Sequence, residues 1–106
     1  MTAGKFHHYG VPTEHEHQDE TFIDGAGVWV TDPEVHPYRV EFLRFAPDTS
    51  LPEELQRQPH AAFEVESLEQ AMEGKEVVLE PFDATDEVRV AFIKDGDALI
   101  EIMQGK

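Results

Sequence analysis

Apolar and polar residues alternate along the first half of the segment at residues 59–74. His60, Ala62 and Glu64 fall on one face of the predicted strand, and the apolar residues between them fall on the other face. The strand therefore combines one wholly apolar face with one face that carries a histidine and a carboxylate.

A short helix is predicted directly after this strand. Ser67 is a typical N-cap residue, and Gln70, three residues later, completes a capping box. Gly74 suits the left-handed conformation that often ends a helix. The simplest packing places this helix on the apolar face of the strand and leaves His60 on the opposite, open face.

Further strands are indicated on both sides of this segment by alternating apolar, β-branched and aromatic residues. An Asp-Gly pair at residues 95–96 predicts a hairpin between the last two strands. Prolines and polar residues predict a linker with a turn of helix at residues 52–56. The other predicted strands cover residues 5–13, 27–31, 38–45, 77–80, 87–93 and 98–103.

The two halves of the chain resemble each other. Each half opens with a strand that carries a histidine and closes with a strand that carries a glutamate among apolar residues, and the first half lacks a helix pattern. Such an internal repeat changes the predicted fold. We expect one α+β domain over residues 1–106, in which two βαβββ modules form a curled mixed sheet with an open cleft. The first, degenerate module covers residues 5–46, the linker 47–58 and the second module 59–104.

Four repeat-related residues are candidate metal ligands: His8, Glu41, His60 and Glu101. Two sheets related by an approximate twofold axis would bring these side chains together. Two imidazoles and two carboxylates suit a divalent zinc, nickel, cobalt, manganese or iron ion. Such an ion acts as a Lewis acid on substrate oxygens, and a carboxylate accepts the neighbouring proton. The spacing therefore predicts a metal site with Glu41 or Glu101 as general base.

Composition excludes several classes of site and partner. The chain has 106 residues and no cysteine, so disulfides, thiolate metal sites and cysteine nucleophiles are excluded. Eight basic and 23 acidic residues give a net charge of −15, which disfavours nucleic acid and anionic membrane surfaces as partners. No signal-peptide pattern or segment of transmembrane length is found, so a cytoplasmic protein is expected.

The segments HAAFEVESLEQAMEGKEVVLEP and VRVAFIKDGDALIEIMQ resemble the second module of the vicinal oxygen chelate superfamily, which includes glyoxalase I, methylmalonyl-CoA epimerase, extradiol dioxygenases and bleomycin-resistance proteins. The resemblance covers residues 59–104 and is weaker over residues 6–45. It implies paired βαβββ modules with metal ligands on the first and last strand of each. His8, Glu41, His60 and Glu101 match these ligand positions, whereas His7 should face the wrong way.

This resemblance implies a glyoxalase-like, metal-dependent lyase or isomerase that acts on a small substrate chelated through adjacent oxygens. It also implies a homodimer. A dioxygenase fits less well, since the resembling dioxygenases use two histidines and one carboxylate. A metal-free binding protein of the bleomycin-resistance type is the alternative from another class, and an acidic chain would suit a cationic ligand.

Other interpretations of these residues stay open. A strand histidine is often a satisfied core or surface residue, and either glutamate can pair with Arg39 or Arg89 instead. His36 fits a capped turn or the mouth of a cleft. The polar cluster His15, His17 and Glu20 loosely resembles the first metal motif of cupins, although its flanks are polar and no second motif follows.

Overall fold

The structure, a computed structural model, describes residues 4–106. The predicted domain 1–106 thus includes residues 1–3, which lie outside the described part. The described residues form eight strands, two short α-helices and one 3-10 helical turn at Pro33–Val35. The strands are β1 (Lys5–Pro12), β2 (Thr21–Ile23), β3 (Val28–Val30), β4 (Val40–Phe45), β5 (His60–Glu64), β6 (Glu76–Asp83), β7 (Val88–Asp95) and β8 (Ala98–Gly105), and the helices are α1 (Glu53–Arg57) and α2 (Leu68–Met72).

All eight strands belong to one mixed sheet, in the order β2-β3-β4-β1-β5-β8-β7-β6. The predicted α+β class, with a curled mixed sheet and few helices, is confirmed at this level. Within residues 4–106, no helix has the length and apolar character that a membrane crossing requires. The chain divides into two compact units. One consists of residues 8–59, and the other consists of residues 60–106 together with the start of β1.

In the unit of residues 60–106, β5 pairs parallel with β8, and β8 and β6 both pair antiparallel with β7. Helix α2 covers the apolar face of this sheet, as predicted, where Leu68 packs with Ala91, Ile93 and Ile102. The Ser67 hydroxyl accepts a hydrogen bond of 3.2 Å from the backbone N–H of Gln70, which confirms the N-cap.

The unit of residues 8–59 has the same pattern of strand pairing. β1 pairs parallel with β4, and β3 pairs antiparallel with both β4 and β2. Its core contains Ala26, Val28 and Leu43. No helix lies between β1 and β2, a stretch that the structure describes completely. The loop there packs on β4, where the His17 ring stacks on Phe42 with centroids 4.2 Å apart.

Two strands differ most from the prediction, while the others shift by one or two residues at their ends. β2 was missed, although an Asp-Gly pair separates its residues from β3 and is a hairpin signal. β6 was predicted to end at residue 80 but continues through Pro81 to Asp83. Proline lacks the N–H of a ladder hydrogen bond, yet β6 is an edge strand and its register with β7 shifts between Leu79 and Phe82. An edge strand with a bulge accommodates proline.

Candidate metal centre

The second half of the chain contributes a buried histidine–glutamate pair. Ala62 of β5 lies opposite Glu101 of β8, so His60, two residues before Ala62, shares the face of Glu101. Nε2 of His60 lies 3.0 Å from Oε1 of Glu101, and the two residues are 2% and 8% exposed.

The prediction that His60 lies on an open face is therefore wrong. Phe92 lies opposite Glu101 in the β7–β8 ladder and packs edge-to-face against the His60 ring, with centroids 5.0 Å apart. Alternation correctly separated the two faces of β5, but it does not report what covers each face. Here an aromatic side chain of β7, two strands away from β5, packs against the buried imidazole.

The first half contributes an equivalent pair. Gly10 of β1 lies opposite Glu41 of β4. His8 lies two residues before Gly10 and therefore shares the face of Glu41, as His60 shares the face of Glu101. Nε2 of His8 lies 3.4 Å from Oε1 of Glu41. His8 is 3% exposed, while the Glu41 side chain is 16% exposed. The two pairs thus occupy identical positions in parallel strand pairs of the same register.

Together, these four residues form a cluster that could hold a metal ion. Each of His8, Glu41, His60 and Glu101 offers one donor atom, and the four atoms all lie within 4.8 Å of one another. This is the set that the sequence repeat predicted. His7, the neighbouring candidate, is not part of it.

The distance within each pair is close to that between two ligands of one ion. Two donors about 2.1 Å from one ion lie about 3.0 Å apart at an octahedral edge and about 3.4 Å apart at a tetrahedral edge. The separations of 3.0 Å in one pair and 3.4 Å in the other fall in this range, so each pair taken by itself could bind one ion. Imidazole nitrogens and carboxylate oxygens, without thiolates, suit borderline and hard divalent ions.

One arginine considered as a partner of the glutamates contacts another carboxylate. Arg89, a candidate partner of either glutamate, places Nε 3.3 Å from Oδ1 of Asp83. Lys106 also contacts Asp83, at 2.8 Å, and its hydrogen bond holds the pKa of that carboxyl below the usual range. Asp83, at the end of β6, thus pairs with both cations on the surface.

The cupin-like cluster has a structural role instead. Glu20 accepts two hydrogen bonds from the Arg44 guanidinium, at 2.7 Å and 3.0 Å, and these bonds hold the pKa of Glu20 below its usual range. Nδ1 of His17 lies 2.9 Å from the carbonyl oxygen of His15. Within residues 4–106 these three side chains do not form a metal-compatible group. The bonds of Glu20 and the contact of the His17 ring hold the loop between β1 and β2 in place.

The contact between Phe92 and His60 was not predicted. A signal for it existed in the hairpin at residues 95–98. Once Asp95 is placed opposite Ala98, counting back along both strands places Phe92 opposite Glu101. The position of Phe92 beside the His60–Glu101 pair therefore follows from the hairpin at residues 95–98.

No protein-family model matches the chain, and no curated protein matches it. Among solved structures, the chain is similar to a crystal structure of a hypothetical protein, BH1468, from Bacillus halodurans C-125. The TM-score is 0.72 at 18% identity, and the match covers 99% of this chain and 96% of the other. The likeness extends over the whole chain and concerns the fold.

Proposed function

We propose that this protein binds one divalent metal ion through His8, Glu41, His60 and Glu101 and acts as a glyoxalase-like lyase or isomerase. Its substrate would be a small molecule that is chelated through adjacent oxygens. One observation supports the proposal most directly. Four donor atoms lie within 4.8 Å of one another, and they come from two histidine–glutamate pairs with the same strand register.

Charge supports a metal ion at this position. Glu41 and Glu101 are two carboxylates in one cluster of largely buried side chains. Two neighbouring negative charges repel each other, and removing them from water is costly unless positive charge compensates them. A divalent cation with two neutral imidazoles and two carboxylates gives a centre of zero formal charge. This balance favours a divalent ion over a monovalent one.

The proposal includes the glyoxalase-like arrangement of modules, with residues 5–46 as a first module without its helix and residues 59–104 as a second. Its support is the shared strand pairing, in which the first strand of each half pairs parallel with the last. The loop with His17 stacked on Phe42 would replace the missing helix of the first module.

In the proposed reaction, the bound ion supplies Lewis-acid polarisation of two adjacent substrate oxygens. Glu41 or Glu101 accepts the proton from the carbon next to these oxygens and returns it at the neighbouring position or to a leaving group. His8 and His60 would be the two imidazole ligands of the ion. Burial of His60 behind Phe92 keeps its ring fixed while a carboxylate exchanges the proton.

Cobalt substitution tests both parts of the proposal. Co²⁺-loaded protein should give a visible absorption spectrum that changes when acetohydroxamate, a probe with two adjacent oxygens, is added, because the coordination number rises. Acetamide, which lacks the second oxygen, is the matched control and should leave the spectrum unchanged. A protein that takes up Co²⁺ but ignores acetohydroxamate would contradict chelation through adjacent oxygens.

Metal content separates this proposal from a metal-free binding protein. Protein purified without added metal should contain a stoichiometric divalent ion, and H60A should lose it. H15A is the matched control, since that exposed histidine lies outside the cluster. Absence of affinity for any divalent ion would favour a binding protein.

A further inference from the structure

The turn before β4 depends on one side chain. Nδ1 of His36 accepts hydrogen bonds from the backbone N–H groups of Tyr38, at 3.0 Å, and Val40, at 3.3 Å. Both partners can only donate, so Nδ1 must be the unprotonated nitrogen and the ring proton lies on Nε2. The turn is thus built around a specific state of this ring.

The backbone of His36 completes the same turn. Its N–H donates to the carbonyl of Pro33 at 3.2 Å, and its carbonyl accepts from the N–H of Arg39 at 3.1 Å. Arg39 has a φ of +61°, a left-handed conformation that residues other than glycine rarely adopt. Such a conformation persists only where neighbouring contacts hold it, and the contacts of His36 surround it on both sides.

The turn sets the register of the strand that carries Glu41. The carbonyl of Arg39 accepts a hydrogen bond of 2.9 Å from the N–H of Tyr9, next to the rung where Tyr9 lies opposite Val40. The following rung places Glu41 opposite Gly10. Because side chains alternate along a strand, a slip by one residue would move Glu41 to the opposite face.

From this chain of contacts we infer that His36 is a positioning residue, which holds the turn that sets Glu41 beside His8. Its importance for metal binding rests on the proposed function, whereas its effect on the register does not. His36 itself contributes no ligand, since the cluster consists of four other side chains.

Asparagine and leucine at position 36 give a matched pair of variants. The side-chain oxygen of asparagine occupies about the place of the histidine Nδ1 and accepts hydrogen bonds, whereas leucine has a similar bulk and accepts none. H36L should therefore expose the amides of Tyr38 and Val40 to faster hydrogen exchange and weaken the cross-strand NOE between Tyr9 and Val40. H36N should restore both.

Zinc affinity gives the functional measurement. Loss of a supporting contact around a metal centre typically weakens binding about 10–100-fold. We expect H36L to weaken Zn²⁺ binding at least about tenfold and H36N to recover most of the loss. H15L, at an exposed histidine outside this turn, should change neither the NOE nor the affinity.

Two results would overturn the inference: unchanged amide exchange and NOE in H36L, or unchanged zinc affinity in H36L after the NOE is lost. If the unaltered protein binds no Zn²⁺, the proposed function fails. In that case the exchange rates and the NOE alone decide whether His36 holds Glu41 in place.

Discussion

Replacement of Glu101 by glutamine should abolish most of the stabilisation that zinc gives the fold. E101Q keeps the shape of the side chain and removes the anionic donor, which lies 3.0 Å from Nε2 of His60. Changes in outer-shell contacts weaken metal binding about 10–100-fold, so loss of a direct ligand should reach at least the upper end, about 100-fold.

This loss of zinc affinity can be expressed as a change in the melting temperature, Tm. For 106 residues the entropy of unfolding is about 0.22 kcal/mol per degree near the midpoint. Zinc at 100 times its dissociation constant stabilises the folded state by about 2.7 kcal/mol, which raises Tm by about 12 °C. At the same zinc concentration E101Q would gain only about 0.4 kcal/mol, or about 2 °C.

Differential scanning calorimetry with and without Zn²⁺ measures both shifts. E64Q is the matched control, because Glu64 is an exposed glutamate on β5 and its replacement removes the same charge. This control should keep the full shift of about 12 °C. A full zinc-dependent shift in E101Q, or an equal loss in E64Q, would refute Glu101 as a ligand.

Three further predictions concern the first half of the chain. The double variant H15A/H17A should keep the zinc affinity of the unaltered protein in a titration, and a complete loss would favour the cupin-like site. G27A should lower the free energy of unfolding by at least about 1–2 kcal/mol in urea denaturation, because Gly27 has a φ of +71° and an added Cβ would lie 2.9 Å from Cα of Thr49; G25A, with open space around it, should change stability little. Arg44 holds the pKa of Glu20 below 4.5, so this pair stabilises the fold above about pH 4.5 and less as pH falls through the lowered pKa. E20Q should remove this part of the pH dependence, and an unchanged stability profile from pH 3 to pH 6 would contradict it.

The sequence predicted the ligand set because the fold repeats a simple relation. A histidine and a glutamate at corresponding strand positions were enough to select His8, Glu41, His60 and Glu101, which the cluster contains. The two-residue alternation of a strand determines which residues share a face. Parallel pairing of the first and last strand of each half then places the histidine beside the glutamate.

Features that depend on neighbouring elements were not predictable from alternation alone. The three-residue strand β2 is too short for alternation to reveal it, and its Phe22 is 42% exposed. β6 continues past Pro81 because it lies at a sheet edge, which is a property of the assembled sheet. The burial of His60 likewise depends on Phe92, a residue more than 30 positions later in the chain.

Anomalous diffraction from crystals grown with Co²⁺ tests the central claim most directly. The account predicts one strong peak at the cobalt edge, about 2.0–2.2 Å from one imidazole nitrogen each of His8 and His60 and from one carboxylate oxygen each of Glu41 and Glu101. No peak among these four side chains, or a stronger peak at His15 and His17, would contradict it.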